Sequence, residues 1–151
     1  MESARPIRIL MADDDPEDRF LTQEAFEEAH LTNELSFVED GEELMDYLKK
    51  RGAYAAEGAA PRPGLILLDL NMPRKDGREA LSEIRSDPQL QGIPVVVLTT
   101  SQADEDIIRT YNLGVNSFIT KPVTFDGLVE IVQHIAEYWF ELVQLPRVSD
   151  G

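Results

Sequence analysis

Four short runs that stay apolar on consecutive positions constrain this chain more than any other feature. They are residues 7–12, interrupted only by Arg8, then Leu35–Val38, 65–68 and 95–98, with a weaker fifth run at 117–119. A strand with one wet face alternates polar and apolar residues, so runs without alternation predict strands covered on both faces, as in a parallel sheet. Segments of helical period lie between them. The first opens at Asp15-Pro16-Glu17-Asp18, a capping residue followed by proline and acids in the first turn, and continues through Phe20, Leu21, Ala25 and Ala29. Others cover residues 42–50, Gly77–Ser86, 103–113 and 125–143. Strand followed by helix, five times over, predicts an α/β protein: a doubly wound (βα)5 parallel sheet with helices on both faces and right-handed crossovers.

The one long interruption, residues 51–64, contains Pro61 and Pro63 and little helical pattern. It reads as an inserted surface loop with room for one helical turn, because the same alternation resumes after it. The expectation is therefore one domain over residues 1–151, with a core at about 6–143 and a short C-terminal tail. A domain of this length buries roughly 70% of the surface its unfolded chain exposes.

Charge narrows the function. The 151 residues include 14 basic and 29 acidic ones, a formal charge of 14 − 29 = −15. No Lys/Arg cluster or basic tail offsets it, which argues against nucleic acid or an anionic membrane as partner. The chain has no cysteine and only two histidines, His30 and His134, both expected on surface helices. That excludes disulfides and thiolate chemistry and leaves oxygen ligands for any metal. The N-terminal run is too short and too polar for a signal peptide, and no stretch reaches the roughly 18 apolar residues that cross a bilayer, so a cytoplasmic protein is expected.

Ligands of an open parallel sheet bind beyond the carboxyl ends of its strands. Four of the five expected strands deliver a polar group there: Asp13-Asp14-Asp15, Asp69, Thr99-Thr100-Ser101, and Lys121-Pro122. Carboxylates brought this close repel, by about 4 kcal/mol per pair at 4 Å and an effective dielectric near 20, so a cation must compensate. Few carboxylates, no His and no Cys suit Mg²⁺, with Lys121 as a fixed positive charge. A carboxylate, a divalent cation, a hydroxyl and a lysine together suit phosphoryl transfer through an aspartyl phosphate. Asp69, which ends the most apolar run, Leu65-Ile66-Leu67-Leu68, is the candidate nucleophile.

These residues resemble the receiver domains of bacterial response regulators. The match lies in Asp13-Asp14, Asp69-Leu70-Asn71-Met72-Pro73 followed by Asp76-Gly77, Thr99, and Lys121-Pro122, with separations of 30 residues from Asp69 to Thr99 and 22 from Thr99 to Lys121. The resemblance implies a flavodoxin-like fold with strand order 2-1-3-4-5. It implies that Asp69 accepts a phosphoryl group from a phosphohistidine of a sensor histidine kinase. It further implies that Asp14 and Asp69 ligate Mg²⁺ directly, Asp13 through water and Asn71 through its carbonyl, while Thr99 and Lys121 hold phosphoryl oxygens. Phe118 matches the aromatic switch that turns inward when Thr99 moves, and Asn71 and Ser101 fall where the family tunes the phosphoryl lifetime. The Asp14 to Asp69 interval of 55 residues is longer than in the usual receiver. With Leu98-Thr99-Thr100-Ser101 and the ending Tyr138-Trp139-Phe140…Leu145-Pro146, it resembles the small stand-alone regulators that accompany bacterial phytochromes.

Each residue alone has a plainer reading: Asp15 as helix cap, Asp69 as a turn residue, Thr99 as a strand-end hydroxyl, Lys121 as a surface charge. Their conjunction at strand ends on one edge favours a site. A haloacid-dehalogenase-type phosphatase would use a similar set. It needs a general acid two residues after the nucleophile, where Asn71 stands, and a cap to enclose its substrate, for which no region is available. At most, self-phosphorylation and autodephosphorylation are expected, not multiple turnover. Along residues 125–143, Leu128, Ile131, Val132, Ile135, Trp139 and Leu142 share a face that Val129, Ala136 and Phe140 widen. The tail could cover the added width, but a symmetric homodimer through this helix is the favoured expectation.

Overall fold

The strand runs form strands because they are apolar on both faces, and the sheet is buried on both faces as a result. In the computed structural model of the protein the described residues are 7–69, 72, 77–99, 117–120 and 124–137. Five strands, β1 (Ile9–Ala12), β2 (Leu35–Val38), β3 (Leu65–Asp69), β4 (Val95–Thr99) and β5 (Ser117–Thr120), pair in parallel in the order β2-β1-β3-β4-β5. The fold is flavodoxin-like, as the resemblance implied. Every residue of β1 and β3 is buried, whereas β2, at the sheet edge, buries only Val38 fully.

Alternation along each strand sends neighbours to opposite faces. Leu10, Ala12, Ile66, Leu68, Val95 and Val97 pack against α2 (Gly41–Lys49) and α3 (Gly77–Ser86). Ile9, Met11, Leu65, Leu67, Val96 and Leu98 pack against α1 (Pro16–Glu28) and α4 (Phe125–Ile135). Among the described residues, two helices cover each face. The start of α1 is the one read from the sequence. The Asp15 carboxylate accepts from the Glu17 N–H at 2.9 Å with Pro16 in the first turn, and Thr124 caps α4 by accepting from the Gly127 N–H at 3.0 Å.

Some expectations are corrected or fall elsewhere. His30 is exposed but not helical: α1 ends at Glu28, and His30 takes a left-handed φ of 59° just beyond it, the position that closes many helices. The inserted loop holds a single 3-10 turn, Gly52–Tyr54, and rejoins the sheet where the Gly64 N–H donates to the Arg8 carbonyl at 2.7 Å. A Cβ on Gly64 would sit 2.9 Å from the Cβ of Ile7, so only glycine permits that approach. The helix expected at 103–113, Asn71, Lys121, and the tail with Trp139, Phe140 and Leu142 lie outside the described residues, as do the side chains of Thr99 and Phe118. In α4, Val132 and Ile135 are buried and Leu128, Val129 and Ile131 are half-buried, in line with the expected stripe. Among the described residues no helix is long and apolar enough to cross a membrane.

Candidate functional site

Strand register decides which polar groups meet. Ala12 pairs with both Val38 and Leu68, so the residues that follow it emerge beside the end of β3, where Asp69 pairs with Leu98. Thr99 pairs with Thr120, and Lys121 is the next residue in the chain. The carboxyl edge of the sheet therefore collects the ends of β1, β3, β4 and β5, as the sequence predicted.

Three of the expected residues form a cluster there. Carboxylate oxygens of Asp13, Asp14 and Asp69 all lie within 4.8 Å of one another. Asp13 is 0% exposed and Asp69 7%, whereas Asp14 faces solvent. Buried charges of one sign are costly unless they are hydrogen-bonded or share a cation. The turn is accordingly well tied. The Asp13 carboxylate accepts from the Asp15 N–H at 2.9 Å, and the Asp13 N–H donates to the Val38 carbonyl at 3.0 Å. Arg19, one turn into α1, donates through Nη1 to the Asp13 carbonyl at 2.7 Å.

The donor set is three carboxylates with no imidazole or thiolate, the chemistry that favours a hard divalent cation. One wall of solvent at Asp14 leaves an approach for that cation and for a small phosphodonor. Asp15, the third member of the acidic triplet, is spent as the cap of α1, its plainer reading. Sequence reading passed over Arg19 and the buried Asp40, which caps α2 by accepting from the Glu43 N–H at 2.8 Å. The Asp40-Gly41-Glu42-Glu43 pattern is a capping-box signature that could have located the second of these.

A doubly wound sheet with a carboxylate cluster at its switch-point edge defines an α/β domain that handles a polar ligand beyond its strand ends. Residues 9–133 match the response regulator receiver domain, and the chain belongs to that family. It is similar to response regulator Rcp1 of Synechocystis sp., 45% identical over 145 residues, which cover 96% of this chain and 97% of that protein. The crystal structure of the Mn²⁺-bound form of Rcp1 aligns with a TM-score of 0.81 at 44% identity, covering 90% of this chain and 96% of that one. The phosphorylated cyanobacterial phytochrome response regulator RcpA aligns with a TM-score of 0.81 at 47% identity, covering 89% and 94%. The chain is thus a response regulator of the two-component type, and its family implies a histidine kinase as partner. Neither the fold nor these relatives support the phosphatase alternative.

Proposed function

We propose that Asp69 is the phosphoacceptor and that Asp13, Asp14, Asp69 and the Asn71 carbonyl hold Mg²⁺. The observation that carries this is the packing of three carboxylates within 4.8 Å at the carboxyl edge of the sheet, two of them buried. A bound Mg²⁺ would offset most of the cluster's negative charge and draw charge from the phosphoryl oxygens. The Asp69 carboxylate attacks phosphorus, an O–P bond forms, and the P–N bond of the kinase phosphohistidine breaks with its electron pair left on the imidazole. Thr99 and Lys121 supply a hydroxyl and an ammonium to the phosphoryl oxygens, and Phe118 reports their movement as the switch. The domain comprises residues 1–151.

The kinase in this reading is a bacterial phytochrome. The naming of RcpA as a phytochrome response regulator supports it, together with the long 51–64 interval. The setting is the cytoplasm. Acetyl phosphate with Mg²⁺ is expected to add one phosphoryl mass to the intact chain, and chelation of the metal beforehand to prevent it. A wild-type chain left unmodified by both acetyl phosphate and a cognate kinase would overturn the assignment.

The apolar stripe along the sequence of residues 125–143, wider than one packed face needs, supports a homodimer through the C-terminal helix region. Sedimentation is expected to give twice the chain mass at micromolar concentration. A monomer both with and without phosphorylation would remove the dimer from this reading and leave the phosphoacceptor untouched.

A further inference from the structure

The inserted loop is tied to the acidic turn by a chain of side-chain and backbone contacts. The Tyr54 hydroxyl donates to Glu43 Oε2 at 2.5 Å, and Glu43 Oε1 accepts from the Glu39 N–H at 2.8 Å. Glu39 follows Val38, whose carbonyl accepts from the Asp13 N–H. The Glu39 carboxylate also lies 3.9 Å from Nη2 of Arg19, the residue whose other nitrogen holds the Asp13 carbonyl. Both backbone groups of Asp13 are therefore held from the Val38–Glu39 segment or from a side chain directed toward it. Tyr54 is itself anchored, since its ring lies 5.1 Å from that of Tyr47, whose hydroxyl donates to the Pro61 carbonyl at 2.8 Å. Burial first, and then the Glu43 carboxylate, push the Tyr54 phenol well above its ordinary pKa, so it remains a donor throughout the working pH range.

We propose that Arg19 and Tyr54 are positioning residues for the metal-binding turn, and that the 51–64 loop braces Asp13 and Asp14 through Glu43, Glu39 and Arg19. The proposal rests on the cation site described above. Outer-shell groups of this kind orient ligands without touching the metal. The Arg19–Glu39 pair, with Glu39 mostly exposed, contributes little energy by itself, so its part is to direct the guanidinium. What the turn needs is geometry, because three like charges left to relax would spread apart and lose the arrangement that a small cation demands.

Arg19→Ala separates positioning from simple electrostatics by sign. Deleting a cation beside a cation site should tighten Mg²⁺ binding if charge alone matters, whereas loss of positioning should weaken it, by about tenfold. Titration calorimetry of the full chain with Mg²⁺ is the readout, alongside thermal melting without metal to establish that each variant folds. Arg19→Lys, which keeps the charge and one donor, should recover part of the loss. Tyr54→Phe keeps the ring packing and removes only the hydroxyl, and should weaken Mg²⁺ binding about threefold. In the Arg19→Ala background that threefold effect should shrink toward none, the mark of two residues acting on one another. Wild-type binding with unchanged or tighter binding in folded Arg19→Ala overturns the brace, as does a fully additive double variant. A wild-type chain that binds no Mg²⁺ overturns the cation site itself and the brace with it.

Discussion

Asp69→Asn is expected to abolish phosphoryl uptake while leaving the fold intact. The substitution keeps the shape of the side chain and removes its charge, and an amide oxygen is too weak a nucleophile to displace imidazole or acetate from phosphorus. The backbone at this point is fixed by strand pairing with β4 and by four fully buried residues before it, Leu65 to Leu68, so no other group moves into the vacated role. Incubation with acetyl phosphate and Mg²⁺ followed by intact mass measurement should show one added phosphoryl group on the wild type and none on the variant. Circular dichroism and a cooperative melt should be close to wild type, since the change is isosteric at a strand end. A variant that still gains one phosphoryl group would move the acceptor elsewhere, with Asp13 and Asp14 the nearest carboxylates. The same outcome would leave the fold and the family unchanged, because neither depends on which carboxylate reacts.

The sheet was legible because its strands are covered on both faces. That condition forces apolar residues at consecutive positions, and β3 and β4 were readable to within a residue for that reason. β2 shows the limit of the rule, since an edge strand need not be buried throughout, yet Leu35-Ser36-Phe37-Val38 kept enough apolar character to be recognised. Asp13 and Asp69 were legible as strand-end carboxylates because register in a parallel sheet brings the ends of β1 and β3 side by side. Nothing local in the sequence marks Arg19 as the partner of the Asp13 carbonyl. Its side chain crosses from the first turn of a helix to the strand end before it, a contact set by the angle between the two. The link from Tyr54 to Glu43 was invisible for a related reason: it joins residues 11 apart through an irregular loop whose path no periodicity encodes.

The buried part of the site also explains why its acids are unequal. Asp13 spends its carboxylate partly on the Asp15 N–H and its backbone on Val38 and Arg19, which gives it a structural part alongside the ligand role proposed for it. Asp14, between a buried acid and a helix cap, faces solvent and has the freest approach to an incoming ion. A site of this kind holds back stability in its empty state, because local repulsion persists until the cation arrives.

Asp14→Asn should therefore show opposite effects with and without metal. At an effective dielectric near 20, two unit charges at the 4.8 Å bound within which these carboxylate oxygens lie repel by about 3.5 kcal/mol, and exposure of Asp14 and salt reduce this severalfold. Without metal, the variant is expected to be more stable than wild type by about 1 kcal/mol, a gain that shrinks as ionic strength rises. With Mg²⁺ the order should reverse. A ligand at about 100 times its dissociation constant stabilises the folded chain by about 2.7 kcal/mol. The variant, having lost a direct carboxylate ligand, should bind Mg²⁺ at least about 100-fold more weakly and gain almost none of that stabilisation. Urea denaturation of both chains, in chelator and in excess Mg²⁺, reads both differences from the shift of the midpoints at constant slope. Crossing curves are the expected result. If the variant were less stable in chelator, Asp14 would be making a favourable contact that outweighs its repulsion. If Mg²⁺ stabilised both chains equally, Asp14 would be no ligand, and the cation would have to be held by Asp13, Asp69 and Asn71 alone.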